Sequence, residues 1–194
     1  MTGQPVSATT TALFSSKVVQ LLRSDQIIVD FGAGNDGSVR SPLGIVSKYV
    51  REVIAIDIES VPPELPSNVE WRQERIEDWL YERSFFPSGP FHGFIARNSL
   101  QFLERDFVLN TLLPWLRDCV EPGGFIALAT FYRAPDPPVN PPYRSLFHLE
   151  ELRQVFPPNW KSVLAVEEVL CGSGYYNRTL RNWYTTQLVI KRPC

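Results

Sequence analysis

Eight consecutive residues carry the densest chemical signal in the chain: Asp30-Phe31-Gly32-Ala33-Gly34-Asn35-Asp36-Gly37. Gly32 and Gly34 permit positive φ and let a ligand approach the backbone with no Cβ in the way. Asp57 follows 20 residues after Gly37 and closes the apolar run Val53-Ile54-Ala55-Ile56. A carboxylate at that position can accept two hydrogen bonds from a ribose diol. Taken literally, Gly32, Gly34 and Gly37 form G-x-G-x-x-G with an acid at the dinucleotide-binding distance. Charge opposes that reading. A pyrophosphate needs the following helix N-terminus free of negative charge, yet Asp30 and Asp36 bracket the loop. At an effective dielectric of 20, a carboxylate about 4 Å from a phosphate oxygen costs about 4 kcal/mol. A nucleoside carrying a positive charge would instead be favoured by both acids.

Other reactive side chains are sparse. Cys119, Cys171 and Cys194 are widely spaced and match neither a disulfide framework nor a zinc site. The sequence therefore implies no metal and points to a reducing, cytoplasmic setting. His92 opens an apolar run and is expected far from the ligand end of its strand; His148 is expected near a helix N-terminus. The basic residues divide as 15 Arg and 4 Lys, and Arg offers a planar fork for carboxylates, phosphates and aromatic faces. Biased codon usage explains the same ratio.

The elements that must position these residues follow from hydrophobic periodicity. Phe14, Val18, Leu21 and Leu22 describe one face of a helix over Thr11–Ser24. Gln26–Phe31 is a short β-branched strand. Val39, Leu43, Val46 and Val50 mark a helix over Ser38–Val50, with Pro42 in its first turn. Val53–Asp57, a weaker Val69–Arg72, Phe91–Ala96 and Phe125–Phe131 are further strands. Leu109, Leu112, Leu113, Leu116 and Val120 outline a helix ahead of the Glu121-Pro122-Gly123-Gly124 turn. A helix around Leu149–Val155 and two strands near Ser162–Leu170 and Trp183–Lys191, separated by a polar loop, complete the pattern. Near-continuous apolar strands alternating with helices predict a parallel sheet covered on both faces.

Length and composition fit one domain. The chain has 194 residues, 44% hydrophobic and 21% charged. At that length folding buries roughly 70% of the unfolded surface without staples. The net charge of −2 opposes nucleic acid or an anionic membrane as the main partner. No apolar run reaches the roughly 18 residues of a membrane span, and Met1–Thr11 lacks a basic-then-apolar leader. The oligomeric state is not implied.

The ordered motifs resemble those of the class I S-adenosylmethionine-dependent methyltransferases, from about Leu21 to Pro193. They are Val29-Asp30-Phe31-Gly32-Ala33-Gly34, then Val53-Ile54-Ala55-Ile56-Asp57-Ile58, and the Pro122-Gly123-Gly124 turn before strand five. Phe91-His92-Gly93-Phe94-Ile95-Ala96-Arg97-Asn98-Ser99-Leu100 looks like the fourth-strand motif. Leu149-Glu150-Glu151-Leu152 and the two strands closing on Arg192-Pro193 are similar to its small-molecule branch. The resemblance implies a Rossmann-like α/β fold in residues 1–194, with a seven-stranded, mostly parallel sheet, an antiparallel last strand and helices on both faces. Residues 1–24 would be a helical lead segment.

The resemblance also implies S-adenosyl-L-methionine as cofactor. Asp30 and the Gly32-Ala33-Gly34 backbone would hold the methionine end, and Asp57 the ribose hydroxyls. Ile58 would pack on adenine, whose edge would meet the backbone near Arg75 and Ile76. Arg97, through its carbonyl, would lie beside the sulfonium. Three positions depart from the pattern. The third glycine is expected at Asp36 and stands at Gly37; Arg75 takes the place of an acid that Glu74 could supply; His92 stands where Asp is common.

Two loops are expected over the cofactor, at 131–147 and 171–182. The first holds Tyr132, Arg133, Tyr143 and Arg144; the second holds Tyr175, Tyr176, Arg178 and Arg181. Aromatic rings with arginines favour a planar or anionic small-molecule acceptor, though ordinary solvated loops have the same composition. Phe14 on the first helix is placed to close over the pocket. Asn140-Pro141-Pro142-Tyr143 resembles the motif of methyltransferases acting on adenine or glutamine amino groups. It follows strand five here rather than strand four, and reads as a coincidence of a proline-rich loop. Two other readings stand beside methyl transfer: an NAD(P)-dependent oxidoreductase, weakened by Asp30, Asp36 and the lack of a Tyr-x-x-x-Lys pair, and a non-catalytic S-adenosylmethionine-binding domain.

Overall fold

A computed structural model describes residues 8–34, 42–85, 91–133, 144–176 and 179–194. Seven strands form one sheet in the order β3-β2-β1-β4-β5-β7-β6. They are β1 (Ile27–Phe31), β2 (Glu52–Asp57), β3 (Val69–Gln73), β4 (Phe91–Arg97), β5 (Val120–Arg133), β6 (Lys161–Tyr176) and β7 (Thr179–Lys191). The pairs β1–β2, β1–β4, β2–β3 and β4–β5 are parallel. β7 runs antiparallel to both β5 and β6, so one strand alone is reversed, as the sequence implies.

Strand alternation sorts the core into two layers. One face carries Val29, Phe31, Ile54, Ile56, Phe94, Ile126 and Leu128 beneath α3 (Ile76–Phe85), α5 (Leu113–Cys119) and α6 (Leu149–Gln154). Its centre is aromatic. Trp79 meets Phe31 edge-on at 5.5 Å and Trp115 at 5.6 Å, and Phe94 stacks on Phe31 at 6.1 Å. The other face carries Ile28, Val53, Ala55, Ile95, Ala127 and Val189 beneath α1 (Ala8–Val19) and α2 (Pro42–Ser47). Phe14 and Val18 of α1 are buried there, as their spacing predicts.

Four boundaries differ from the periodicity. α1 ends at Val19, and Leu21 and Leu22 pack on the same core from the turn that follows. Of the helix expected over Ser38–Val50, residues 38–41 lie outside the described residues and α2 stops at Ser47. The helix before β5 begins at α4 (Arg105–Phe107) and passes through a π-helical turn, Val108–Leu112, where the Leu113 N–H bonds the Val108 carbonyl. Pro114 accounts for that turn, since proline has no N–H for the regular ladder. Glu121–Gly124 is not a separate turn between helix and strand: it is absorbed into β5 as a bulge, with Phe91 opposite Val120 and Gly93 already opposite Phe125. Gly123, at φ 79°, makes the bend, and the bulge is tied to the chain end by Gly123 N–H to Pro193 O and Arg192 N–H to Gly124 O.

The largest correction concerns the loop expected at 171–182: residues 171–176 and 179–182 are strand. β6 and β7 stay paired through Gly172↔Trp183, Gly174↔Arg181 and Tyr176↔Thr179. Continuing the ladder satisfies backbone donors and acceptors that a polar loop would leave to water. Tyr175, Tyr176 and Arg181 are therefore strand residues near a hairpin tip, and Arg178 lies outside the described residues. Among the described residues no helix is long and apolar enough to cross a membrane.

Candidate functional site

The chain leaves β1 toward α2 on one face of the sheet and leaves β4 toward α4 and α5 on the other. The two strands are neighbours, so a crevice opens at their carboxyl ends, the place where open α/β sheets bind ligands. Gly32 (φ 67°) and Gly34 (φ 73°) build its floor in a conformation that costs other residues about 1–2 kcal/mol. Gly32 N–H bonds the Ile56 carbonyl at 2.8 Å. On the β4 side, Ser99 Oγ donates to the Phe31 carbonyl at 2.9 Å. A Cβ on Gly32 would stand 2.4 Å from Ser99 Cβ, so the close approach of these turns requires glycine.

Asp57 ties the glycine turn to the end of β2. Its carboxylate accepts Gly34 N–H at 2.8 Å and Glu59 N–H at 3.0 Å, while its carbonyl accepts Glu74 N–H. Each carboxylate oxygen keeps a lone pair for a further donor. Ile58, the next residue, is 72% exposed, an unusual state for a large aliphatic side chain beside a crevice. Ala33 is buried in the α1/α2 layer. Arg75 is exposed and paired with Glu77 at 2.8 Å; Ile76 opens α3 with its side chain in the aromatic layer.

Asp30 and Arg97 lie on the α1 side. Asp30 is 1% exposed, and its Oδ1 has no hydrogen-bond partner among the described residues. Burial pushes its carboxyl up to about 6; the nearby Arg97 guanidinium pulls it back and Asp57 adds to the rise. Arg97 is largely buried, which lowers its guanidinium, partly offset by Asp30. Both line a cavity with Phe14, Ser15, Val18 and Val19 of α1, Ile45 and Val46 of α2, and Ile95. Phe14 is one of the residues lining this cavity.

The sequence reading gave Arg97 a role through its carbonyl alone; the structure adds the side chain. It missed Asn98 and Ser99. Asn98 has φ 53°, the only positive φ of a non-glycine among the described residues. Asn98 N–H to Ala129 O at 2.8 Å and Gln101 Nε2 to Asn98 O at 2.7 Å hold it there. The one sequence signal for Arg97 was parity, since Gly93, Ile95 and Arg97 share a strand face.

The two histidines are structural, as expected. His92 Nδ1 accepts Ile27 N–H at 3.1 Å, at the far end of the sheet. His148 caps α6 in a capping box with Glu151, and its ring pairs with Glu167 at 3.4 Å. Of the acceptor-side residues, Arg144 is exposed and pairs with Glu104 at 3.3 Å. Tyr132 and Arg133 end β5, and Tyr143 lies outside the described residues, as do Asn35–Gly37 and Asn140–Pro142. Among the described residues no group of three or more His, Cys, Asp or Glu forms a metal site.

Sheet order, glycine turn and strand-end acid together give a Rossmann-like fold similar to that of solved S-adenosylmethionine-dependent methyltransferases. Solved structures with this fold include N-methyltransferase NodS from Bradyrhizobium japonicum WM9, at TM-score 0.63 and 13% identity over 97% of this chain and 99% of that one. TehB from Haemophilus influenzae gives TM-score 0.65 and 14% identity over 95% of this chain and 64% of that one. An rRNA methylase from Streptococcus thermophilus gives 0.58 and 14% over 100% and 99%. No protein-family model matches the sequence, and no curated protein matches it.

Proposed function

We propose that this chain transfers a methyl group from S-adenosyl-L-methionine to a small-molecule acceptor by in-line displacement, in a reducing, cytoplasmic setting. The observation that carries the reading is the glycine turn clamped between Asp57 and Ser99, with the buried Asp30 carboxylate beside it. A crevice flanked by the carboxylates of Asp30 and Asp57 suits a cationic nucleoside better than a pyrophosphate. The fold shared with NodS, solved also in complex with S-adenosyl-L-homocysteine, supports the same cofactor.

In this reading Asp57 takes the ribose diol and Ile58 covers adenine. The backbone at Arg75 and Ile76 meets the adenine edge. Asp30, with the Gly32-Ala33-Gly34 backbone, holds the methionine end, and the Arg97 carbonyl faces the reacting centre. Bound S-adenosylmethionine supplies an electrophilic methyl on a sulfonium. The chain's part is alignment, which can contribute about 7–11 kcal/mol to such a step. A general base is needed only for an acceptor that must lose a proton. Tyr132, Arg133, Tyr143, Arg144, Tyr175, Tyr176 and Arg178 are the proposed acceptor contacts, drawn from the end of β5, the sequence after it, and the end of β6 with the sequence that follows.

Calorimetric titration of the purified chain with S-adenosylhomocysteine, and in parallel with reduced nicotinamide dinucleotides, tests the reading. One-to-one binding of the former alone is expected. Binding of a nicotinamide instead would overturn it in favour of hydride transfer.

A further inference from the structure

Gln187 breaks the pattern of the layer beneath α1. β7 pairs with β5 so that Gln187 stands opposite Ala129, and Ala129 stands opposite Arg97 of β4. Opposed residues share a face, and Ala129 belongs to the apolar layer with Phe14, Val18, Leu164 and Val189. Arg97, Ala129 and Gln187 therefore form one row on that face, about 10 Å long across two strand spacings. Arg97, at one end, lines the cavity at the crevice edge. Gln187, at the other, is 3% exposed, and its Oε1 has no hydrogen-bond partner among the described residues. Its Nε2 donates to Thr185 Oγ1 at 3.2 Å, which turns the oxygen away from that hydroxyl. A leucine here would continue the series of Leu164 and Val189 at no polar cost, whereas a buried amide oxygen left unpaired costs free energy. Such breaks in an apolar pattern are expected at functional sites.

The middle of the row is its smallest side chain, and the Ala129 carbonyl already holds Asn98 N–H at the end of β4. In the proposed function the Arg97 carbonyl faces the reacting centre, so β5 and β7, the next two strands along the sheet, border the incoming nucleophile. We propose that Gln187 is a specificity-determining residue for the methyl acceptor: its Oε1 accepts the N–H or O–H of an amine or hydroxyl compound that reaches across Ala129 from the crevice. The inference rests on the S-adenosylmethionine reading above and names the acceptor class for the same site. An amide is no base, so Gln187 orients the acceptor's lone pair, and any proton lost goes to solvent. A site that hydrogen-bonds a donor rejects the analogue lacking it far more strongly than an apolar pocket rejects a missing methylene.

Matched probes test it on the chain saturated with S-adenosylhomocysteine: aniline against N,N-dimethylaniline, and phenol against anisole, with binding read by ligand-observed NMR. In at least one pair the donor-bearing probe should bind at least about tenfold more tightly, and that pair names the acceptor atom. Gln187→Leu should abolish the preference by admitting the donor-free probe, and leave S-adenosylhomocysteine affinity unchanged. Equal binding within both pairs overturns the inference and leaves the cofactor reading standing, as does binding of none of the four to the loaded chain. A Gln187→Leu variant that keeps the wild-type preference also overturns it, since the donor is then read elsewhere. Failure of S-adenosylhomocysteine itself to bind overturns the proposed function and this inference together. The wild-type pairs need no variant to fold.

Discussion

Ser99 stands where a side chain on Gly32 would have to be: a Cβ there would lie 2.4 Å from its own, while its hydroxyl donates to the Phe31 carbonyl. The ends of β1 and β4 are thus interlocked at the floor of the crevice through a contact 67 residues apart in sequence. Gly32→Ala combines a left-handed conformation for alanine with overpacking. A loss of about 2–4 kcal/mol is expected in denaturant unfolding. Ser99→Gly in the same chain should recover part of it.

Asp57 has two separable duties. It accepts two backbone N–H groups and, in the proposed function, the ribose diol. Asp57→Ala should weaken S-adenosylhomocysteine by about 1–3 kcal/mol in a calorimetric titration. Unchanged affinity would remove the ribose assignment.

Ile58 separates binding from folding. It is 72% exposed, so Ile58→Ala should change stability by less than about 0.5 kcal/mol. If adenine packs on it, the same variant should lose about 1–2 kcal/mol of nucleoside affinity through lost apolar burial. Thermal unfolding with and without S-adenosylhomocysteine reads both effects.

Asp30 gives a pH signature. Its carboxyl titrates near 6 in the folded chain against an ordinary value of 3.8, because burial disfavours the anion. Between those values the folded chain holds a proton that the unfolded chain releases. This group's contribution to stability therefore falls as pH rises from about 4 to about 6, by about 3 kcal/mol in all. Asp30→Asn should remove that slope, making the variant the more stable of the two at pH 8 and no more stable at pH 4. In the proposed function, where Asp30 holds the methionine end, ligand binding runs the other way: S-adenosylhomocysteine affinity of the wild type should weaken as pH drops below 6.

Trp79 anchors the opposite layer, in ring contact with Phe31, Phe91 and Trp115. Trp79→Ala should cost about 3–5 kcal/mol in urea unfolding, and Trp79→Phe less. Neither touches the crevice, so the fraction that stays folded should keep its ligand affinity.

Much of the fold was legible because Ile27–Phe31, Glu52–Asp57 and Phe91–Arg97 are buried on both faces, and such strands have near-continuous apolar sequences. Periodicity also placed Phe14 and Val18 correctly in the core. The hairpin beyond Leu170 was not legible. Gly172, Ser173 and Gly174 have turn-like composition, and only pairing with β7 holds them extended. In the site, the acids and glycines carried their own signal. Ser99 and the Arg97 side chain did not, since their meaning comes from which strand lies beside β4. Asn98 likewise takes its left-handed backbone from two hydrogen bonds supplied by Ala129 and Gln101.

The place of β7 has a consequence for the order in which the molecule can be completed. β7 lies between β5 and β6, yet it is made after both. While the chain emerges from the ribosome, β6 has no strand to pair with, and β5 presents a bare edge of unpaired amides. The last sixteen residues must arrive before either edge is closed, and Arg192 and Pro193 then fasten the bulge of β5. A nascent chain stalled short of Thr179 would hold β1 to β5 and expose a sheet edge open to other chains.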